Sequence, residues 1–427
     1  MTKEFNLYFA PRGSGGVVVL NRVARRVLNT FSRPVSLAGA TRALPDLSPA
    51  DVHQAVHQLV DLALLCPAGR QPALRDPGAT TLTAWLHVTS ACTLRCAYCY
   101  APRGTEKMTW PVGEAALEAI FRSAARHDYQ AVKLKYAGGE PLLNFPLIRA
   151  LQERAEVLAH HRGMGLRAVV LSNGTLLTDE MLAFLRAAGV RLMISLDGVG
   201  PSHDRQRPRA DGRGSFELVA RNIDRALAGG LKPHLSITVT GHSLEAPAGA
   251  VAFALARDLP FNLNFVRESG PGGQWTVDEF SLIEAVRRAF RRIEASLPQQ
   301  TLVAGLLDRA SFVSPHLFPC GAGHHYLVVD QAGGVAPCQM DLGRPVGDVW
   351  MPDPLAAVRD GGTFHNISVQ EKDGCRTCPW RYACAGVCPR LVRQGTGVAY
   401  CRAYQTLFPE LVRLEGLRLL AQEKAMA

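Results

Sequence analysis

Three cysteines crowd one short stretch of this chain, at the spacing C-x3-C-x2-C formed by Cys92, Cys96 and Cys99. Three thiolates on one loop can hold three irons of a cubic 4Fe-4S cluster, which leaves the fourth iron open to an exchangeable ligand. The cysteines are too close together for an independent disulfide framework, and tetrahedral zinc requires a fourth ligand at a recognisable spacing. The stretch therefore predicts an iron-sulfur site, with a structural metal knuckle as the alternative.

The other cysteines also indicate metal binding. The chain of 427 residues has 11 cysteines, ten of which fall in two regions. The first residues lack the basic-then-apolar order of a signal peptide and no run of about eighteen apolar residues occurs, so we expect a cytoplasmic protein without membrane contact. Because the cytosol keeps thiols reduced, clustered cysteines there favour metal over disulfides. The eleventh, Cys66, is expected to be a small buried apolar residue.

The net charge and composition of the chain limit the kinds of binding partner that we expect. The formal net charge of +10 predicts a moderately basic surface, which would suit an acidic peptide or a flavodoxin- or ferredoxin-type electron donor. No basic run carries interleaved aromatic residues, so nucleic acid is not expected as a partner. The length suggests roughly two to four domains.

Residues 82–300 alternate strictly between strand and helix patterns. The predicted strands are 85–89, 132–136, 166–171, 191–195, 234–240 and 261–266, and the predicted helices are 113–127, 147–160, 178–188, 215–228, 246–258 and 281–297. Such alternation implies a parallel sheet with right-handed crossovers, and six units make an α/β fold, a partial (β/α)6 TIM-type barrel. Chemistry in such folds lies at the carboxyl ends of the strands, which is where the cysteine loop falls.

Residues 1–72 predict a separate winged-helix-like module. Its elements are two β-rich runs at 6–10 and 16–20, a turn at 11–15, and three helices at 23–31, 36–44 and 48–63. A linker is expected at 71–81, where proline, glycine and threonine are frequent. The module could serve packing or dimerisation, and DNA binding is disfavoured because no helix presents a basic stripe.

Residues 301–427 lose the alternation and are rich in cysteine. The seven cysteines there are Cys320, Cys338, Cys375, Cys378, Cys384, Cys388 and Cys401. Zinc ribbons would explain two pairs at comparable spacing but would leave three cysteines over.

The cysteine loop, with Tyr98 next to its last cysteine, resembles the signature of the radical S-adenosylmethionine (radical SAM) enzymes. In that family S-adenosylmethionine chelates the open iron, and an electron from the cluster cleaves it to a 5′-deoxyadenosyl radical. The resemblance implies that the loop cysteines are catalytic cluster ligands. It further implies cofactor-binding residues at Tyr98, Gly138, Gly139, Glu140, Pro141, Asn173 and Ser195. Arg207, after the fourth strand, is a further candidate partner of the cofactor carboxylate.

The C-terminal cysteines resemble the SPASM extension of peptide-modifying radical SAM enzymes. By that resemblance one auxiliary 4Fe-4S cluster is held by Cys320, Cys338 and Cys388, and a second by Cys375, Cys378, Cys384 and Cys401, which makes three clusters in all. The first set is one ligand short, so either His324 or His325 completes it or one iron is open.

One position argues against a particular branch of that family. The sulfatase-maturing members of the family carry an acidic general base directly after the cysteine that corresponds to Cys338. In this chain that position is Gln339, which cannot accept a proton. Formylglycine formation is therefore disfavoured. Asp341, two residues on, is expected in a surface turn.

The N-terminal module resembles the PqqD-like recognition elements that bind the leaders of ribosomally made, modified peptides (RiPPs) as an added strand. Together the resemblances imply a RiPP maturase, an oxidoreductase that abstracts a hydrogen from a precursor peptide and forms an intramolecular C–C, ether or thioether cross-link. The alternatives are a maturase of another protein or of a peptide-derived redox cofactor, and a non-enzymatic iron-sulfur electron carrier. The electron carrier would not need the S-adenosylmethionine motifs.

Overall fold

The computed structural model describes residues 6–9, 16–69, 79–241, 243–267, 277–361, 366–391 and 400–426. The turn expected at 11–15 and most of the linker expected at 71–81 lie outside these residues. None of the described helices combines the length and apolar character needed to cross a membrane.

The N-terminal module contains the predicted hairpin and three helices. They are β1 (Asn6–Phe9), β2 (Val17–Leu20), α1 (Arg22–Thr30), α2 (Leu37–Ala43) and α3 (Pro49–Asp61). Each helix begins at a capping side chain: the Ser48 hydroxyl, for example, accepts a hydrogen bond from Asp51 N before Pro49 opens α3. The helices enclose a small apolar core of their own around Val27, Val52 and Leu59.

One prediction for this module is wrong. Cys66 is exposed, because α3 ends at Asp61 and only Leu64 and Leu65 of the following residues pack against the module core.

Six parallel strands form the barrel in the predicted order. They are β3 (Thr81–His87), β4 (Ala131–Ala137), β5 (Gly165–Ser172), β6 (Arg191–Ser195), β7 (His234–Val239) and β8 (Phe261–Phe265). Their crossovers contain α4 (Trp110–Arg126), α5 (Phe145–His161), α6 (Asp179–Ala187), α7 (Pro201–Gln206), α8 (Phe216–Ala228), α9 (Ala246–Leu255) and, after β8, α10 (Glu279–Ala295). The strand–helix alternation is confirmed; the sequence missed α7, and β3 begins at Thr81, inside the expected linker.

Buried and less buried side chains alternate along most of the barrel strands, as in β3. Leu82, Ala84 and Leu86 are fully buried in the main apolar core, whereas Trp85 lines the interior cavity. This period of two places one set of side chains against the helices and leaves the other set to line the interior.

The C-terminal region extends the same sheet. It contains β9 (Tyr326–Val329), β10 (Gly334–Ala336), β11 (Gly347–Asp348), α11 (Pro354–Asp360), α12 (Arg381–Cys384) and α13 (Cys401–Met426). Within the described chain, nine strands lie in the order β11-β10-β9-β3-β4-β5-β6-β7-β8, with β9 parallel to β3. Helix α13 packs along α10 and reaches β1 and β2, so the C-terminus joins the barrel to the N-terminal hairpin.

Candidate functional site

A cavity of about 1310 Å³ occupies the barrel interior and reaches the cysteine loop that follows β3. Thirteen residues singled out from the sequence line it: Cys92, Cys96, Tyr98, Cys99, Gly138, Gly139, Asn173, Ser195, Arg207, Cys320, His324, His325 and Gln339. The fold thus brings the cysteine loop, the glycine pair and two later strand ends to one space, together with the first cysteine of the C-terminal region.

The glycine pair after β4 holds the start of the cysteine loop. Gly139 N donates to Thr89 O at 2.8 Å, and Glu140 N donates to Ala91 O at 2.8 Å. A Cβ at Gly138 would lie 2.5 Å from Thr89 O, and one at Gly139 would lie 2.4 Å from Ala91 O. The glycines are therefore required by the close approach of the loop backbone, in addition to the cofactor contact that the resemblance implies for them.

Glu140 is fully buried beneath the loop and is absent from the cavity lining, as is Pro141. Its Oε1 accepts hydrogen bonds from Leu142 N (3.1 Å) and Ser172 Oγ (2.9 Å), and its Oε2 accepts one from Asn173 N (2.7 Å). Burial raises the pKa of this carboxyl to about 7, although the hydrogen bonds favour the charged form. The side chain ties the ends of β4 and β5 together, and a cofactor contact by Gly138, Gly139, Glu140 and Pro141 remains a prediction.

The opposite side of the cysteine loop rests on the segment after α7. Arg95 N donates to Pro208 O at 2.8 Å, and Ala210 N donates to Thr93 O at 2.9 Å. Asn173, at the end of β5, donates from Nδ2 to Thr93 Oγ1 at 3.0 Å, and the same nitrogen lies 3.7 Å from Cys92 Sγ. The loop is thus held on both sides by segments distant in sequence.

A buried ionic network lies beside Cys96, which the sequence argument missed. Asp197, fully buried after β6, accepts hydrogen bonds from Arg207 Nε (2.6 Å), Thr238 N (2.8 Å) and the Tyr98 hydroxyl. The Arg207 guanidinium lies 5.4 Å from the Tyr98 ring centroid, and its Nη1 is 3.8 Å from Cys96 Sγ. Arg207 therefore pairs with a protein carboxylate and faces a loop sulfur. The sequence feature that could have indicated this network is Asp197 itself, a carboxylate two residues after the end of β6.

Burial raises the pKa of two thiols of the cysteine loop, Cys92 and Cys96. Burial raises the pKa of Cys96 to about 11; the Arg207 charge opposes this, and the thiolates of Cys99 and Cys92 add to it. Nearby donors, Leu94 N at 3.4 Å from Cys92 Sγ among them, are of the kind that stabilise sulfur ligands of iron. Crowded, mutually repelling thiolates with N–H donors around them fit a cationic cluster.

The C-terminal cysteines influence each other within two sets. Burial first, and then the thiolates of Cys378, Cys375 and Cys401, raise the pKa of Cys384 to about 11, while the Gly386 amide opposes the rise. The other set behaves in the same way. Burial first, and then Cys388 and Cys320, raise the pKa of Cys338 to about 11, against the Met340 amide. The thiolates that raise the pKa of Cys384 and of Cys338 belong in each case to the ligand set expected for that cysteine, and the two sets remain a prediction.

The link between Cys384 and Cys388 has an unusual backbone. Its three residues all have positive φ: Ala385 at 48°, Gly386 at 80° and Val387 at 65°. Non-glycine residues adopt this conformation at a cost of about 1–2 kcal/mol each. This turn separates the two cysteines that the resemblance assigns to different ligand sets.

The two histidines near Cys320 differ in their surroundings. His324 Nε2 lies 2.8 Å from Asn366 O, and its ring lies 4.0 Å from that of Phe318. The His325 ring packs over Gly321, next to Cys320, so closely that a Cβ on that glycine would lie 2.7 Å from it.

Gln339 and Asp341, which follow Cys338, differ in their surroundings. Gln339 lines the cavity and accepts a hydrogen bond from Tyr326 Oη at 3.0 Å. Asp341 was expected in a surface turn, but it is buried and pairs with Arg390. The expectation is wrong because this arginine, distant in sequence, provides a partner for the carboxylate inside the domain.

Among the described residues, no three His, Cys, Asp or Glu side chains are grouped so that they could hold one metal ion. A cubic cluster makes a different demand, since each of its thiolates binds a separate iron.

Residues 86–249 match the family model of the Radical SAM superfamily. The matched segment extends from β3 into α9 and makes up 164 of the 427 residues, over which the chain is similar to that superfamily. An AdoMet-dependent heme synthase of Methanosarcina barkeri is 31% identical over 207 residues, which are 46% of this chain and 53% of that protein. The chain thus spans about half the length of this curated relative.

Two solved structures share the fold. anSMEcpe with bound AdoMet and the Cp18Cys peptide has a TM-score of 0.61 at 18% identity, over 78% of this chain and 99% of its own. Streptococcus suis SuiB bound to the precursor peptide SuiA has a TM-score of 0.54 at 14% identity, over 94% of this chain and 98% of its own. The predicted fold class, an α/β fold with a partial (β/α)6 barrel, is confirmed.

Proposed function

We propose that this protein is a radical SAM enzyme that cross-links residues within a ribosomally made precursor peptide. The observation that carries the proposal is the position of Cys92, Cys96 and Cys99 on a loop that lines a cavity of about 1310 Å³, which also reaches Cys320. A cavity of that size exceeds what one small molecule needs and leaves room for a cofactor together with a peptide segment.

Three 4Fe-4S clusters and S-adenosylmethionine are the proposed cofactors. The loop cysteines would hold the catalytic cluster, and the two C-terminal sets would hold the auxiliary clusters. When bound, these groups supply a 5′-deoxyadenosyl radical that takes one hydrogen atom from the peptide and an acceptor for the electron that leaves as the cross-link forms. The likeness to anSMEcpe, which was solved with AdoMet, supports this cofactor.

The chain's own residues position the loop and shape its charge. Asn173 Nδ2 and Arg207 Nη1 lie 3.7 Å and 3.8 Å from sulfurs of the loop, and donors at such distances partly neutralise thiolate charge. The Arg207 guanidinium is itself held by Asp197 through a 2.6 Å bond. Gly138, Gly139 and Ser195 remain the proposed contacts of S-adenosylmethionine, because they line the cavity at the ends of β4 and β6.

The N-terminal module would bind the leader of the precursor. Its two strands pair only with each other among the described residues, so each keeps an outer edge to which a peptide strand can add. The likeness to SuiB supports a peptide-binding role: it covers 94% of this chain, whereas residues 73–427 alone amount to 355 of 427, or about 83%. A tethered leader raises the local concentration of the core segment at the cavity to about the millimolar range.

Formylglycine formation remains disfavoured. Gln339, which stands in place of the acidic base, lines the cavity, while Asp341 is turned into an ion pair with Arg390. Asp308 also lines the cavity, but it already forms an ion pair, since its Oδ2 lies 2.7 Å from Arg267 Nη2.

The test combines cofactor turnover with the mass of the peptide. Anaerobically reconstituted protein, reduced in the presence of S-adenosylmethionine and the precursor, should form 5′-deoxyadenosine and a product lacking two hydrogens. Cys96→Ala should abolish both, whereas Cys66→Ala, which removes an exposed thiol outside the cavity, should change neither. Protein that binds its clusters but forms no 5′-deoxyadenosine would favour the electron carrier.

A second experiment tests the leader. Protein lacking residues 1–72 should lose modification of the full precursor at micromolar concentration and should recover it when the core is supplied at millimolar concentration, because tethering replaces affinity. Equal rates for the truncated and full-length proteins at micromolar precursor would refute the leader-binding role.

A further inference from the structure

Four basic side chains line the cavity on its wall away from the cysteine loop. They lie in β4, β5 and β6 and are Lys133, Lys135, Arg167 and Arg191. Lys133 is in register with Arg167, while Lys135 is in register with Val169, which is in register with Arg191. Because adjacent strands lie about 4.8 Å apart, the four cations form two neighbouring rows, here called the basic wall.

Among the residues that the structure describes, no acidic side chain in the cavity is free to balance the basic wall. Asp308 is the one acidic side chain among the described residues that line the cavity, and it pairs with Arg267. Within the described chain, the four cations of the wall make no hydrogen bond or ion pair; Lys135 lies 5.3 Å from the centroid of the Tyr326 ring. Like charges opposite each other on neighbouring strands destabilise a sheet, so a bound anion would relieve the repulsion between Lys133 and Arg167. Arg167 and Arg191 are exposed and thus accessible to such an anion.

Other arginines that line the cavity differ from those of the basic wall, because they have hydrogen-bond partners within the protein. Arg207 bonds to Asp197 at 2.6 Å, and Arg359 donates from Nη2 to Tyr129 Oη at 2.9 Å. Those side chains have structural partners. Burial first, and then the charges of Lys133 and Arg309, lower the pKa of Lys135 to about 7, so a bound anion would restore its full charge.

We propose that the basic wall binds carboxylates of the substrate peptide, so that the segment to be modified carries acidic side chains. The inference rests on the proposed function and adds the substrate class. Lys133 and Lys135 are two residues apart on one strand, hence roughly 6.6 Å, and this spread suits two carboxylates better than one compact phosphate.

The wall also sets a spacing in the substrate. Lys135 precedes Gly138 by three residues, which corresponds to roughly 10 Å along β4. An extended peptide covers that distance in about three residues. The acidic residue should therefore lie within about three positions of the residue that reacts.

The test is calorimetric binding of synthetic hexaglutamate, with hexaglutamine as the neutral control, to cluster-loaded protein under anaerobic conditions at low salt. Hexaglutamate should bind and hexaglutamine should not. Lys135→Met and Arg167→Gln should each weaken binding about tenfold, the lower end for a charge-assisted contact, and Lys135→Arg should retain it. Lys232→Met is the matched control, since it removes the same charge from an exposed surface pair with Asp258 and should bind as the wild type does.

Equal affinity of the wild type, Lys135→Met and Arg167→Gln would overturn the proposal, as would absence of hexaglutamate binding. Binding of inorganic phosphate without binding of hexaglutamate would assign the wall to a phosphate ester and would also overturn it. The measurement uses neither S-adenosylmethionine nor turnover, so its result is independent of the test with Cys96→Ala.

Discussion

Replacing Gly139 by alanine should displace the cysteine loop. The added Cβ would lie 2.4 Å from Ala91 O and 2.8 Å from Ser90 O. Both obstacles are backbone atoms, which cannot rotate away as a side chain would, so either the loop or the end of β4 must shift. The shift should break the hydrogen bonds from Gly139 N to Thr89 O and from Glu140 N to Ala91 O, each 2.8 Å long.

The magnitude follows from these contacts. Two hydrogen bonds at about 1 kcal/mol each and an overpacking term of about 2 kcal/mol sum to about 4 kcal/mol. With an unfolding entropy of about 2.1 cal/mol/K per residue, a chain of 427 residues should lose roughly 4–5 °C in Tm. Iron bound after anaerobic reconstitution should fall by roughly one cluster, or four irons per chain.

Gly249→Ala is the matched control for this experiment. Gly249 lies within α9, and its Cβ would make an ordinary contact of 3.6 Å with Val199. Alanine there should bind iron normally and stabilise the helix by about 0.5–1 kcal/mol. Wild-type iron content and Tm in Gly139→Ala would refute the claim that the glycine is required by the approach of the loop.

Two further predictions concern buried carboxylates. Asp197→Asn removes the counter-charge of buried Arg207 and should lower the free energy of unfolding by about 3 kcal/mol, measured by chemical denaturation. The control is Asp211→Asn, at an exposed pair with Arg213, which should leave the free energy of unfolding unchanged. Equal effects of the two substitutions would contradict the role of the buried pair. Glu140 has a folded-state pKa raised to about 7, so its stabilising contribution is present below the ordinary carboxyl pKa and is lost as pH rises through about 7. Glu140→Gln should therefore reduce the difference in Tm between pH 5 and pH 8, and an unchanged difference would exclude Glu140 as its source.

The sequence predicted the barrel well because its signals are local. Strand β3 and its successors bury alternate residues, and such a period is visible in a single chain. The place of β9 beside β3 could not be predicted, since Tyr326 follows β3 by more than two hundred residues and its short apolar run resembles many others. Helix α13 was missed for a related reason: cysteine spacing dominated the interpretation of that region.

The candidate site, like the fold, has parts that the sequence predicted and parts that it did not. Cysteine spacing identified the loop and two further sets, because ligand residues must be of a particular type. Asp197 escaped prediction since its function depends on Arg207 and Tyr98, which only the fold brings to it. The basic wall escaped for a geometric reason: Lys133 and Arg167 become neighbours through strand register, and separately each reads as an ordinary surface charge.

The cysteine loop should keep its shape without the cluster, because backbone contacts hold it on both sides. Arg95 N donates to Pro208 O at 2.8 Å and Ala210 N donates to Thr93 O at 2.9 Å, in addition to the two bonds to the glycine segment. None of the four involves a cysteine side chain. Cys96→Ala should therefore unfold within about 2 °C of the wild-type apoprotein, a change of no more than about 2 kcal/mol for a chain of this length. A much larger loss of Tm, measured on both proteins without iron, would show that the thiol itself organises the loop and that inactivity of this variant reflects misfolding.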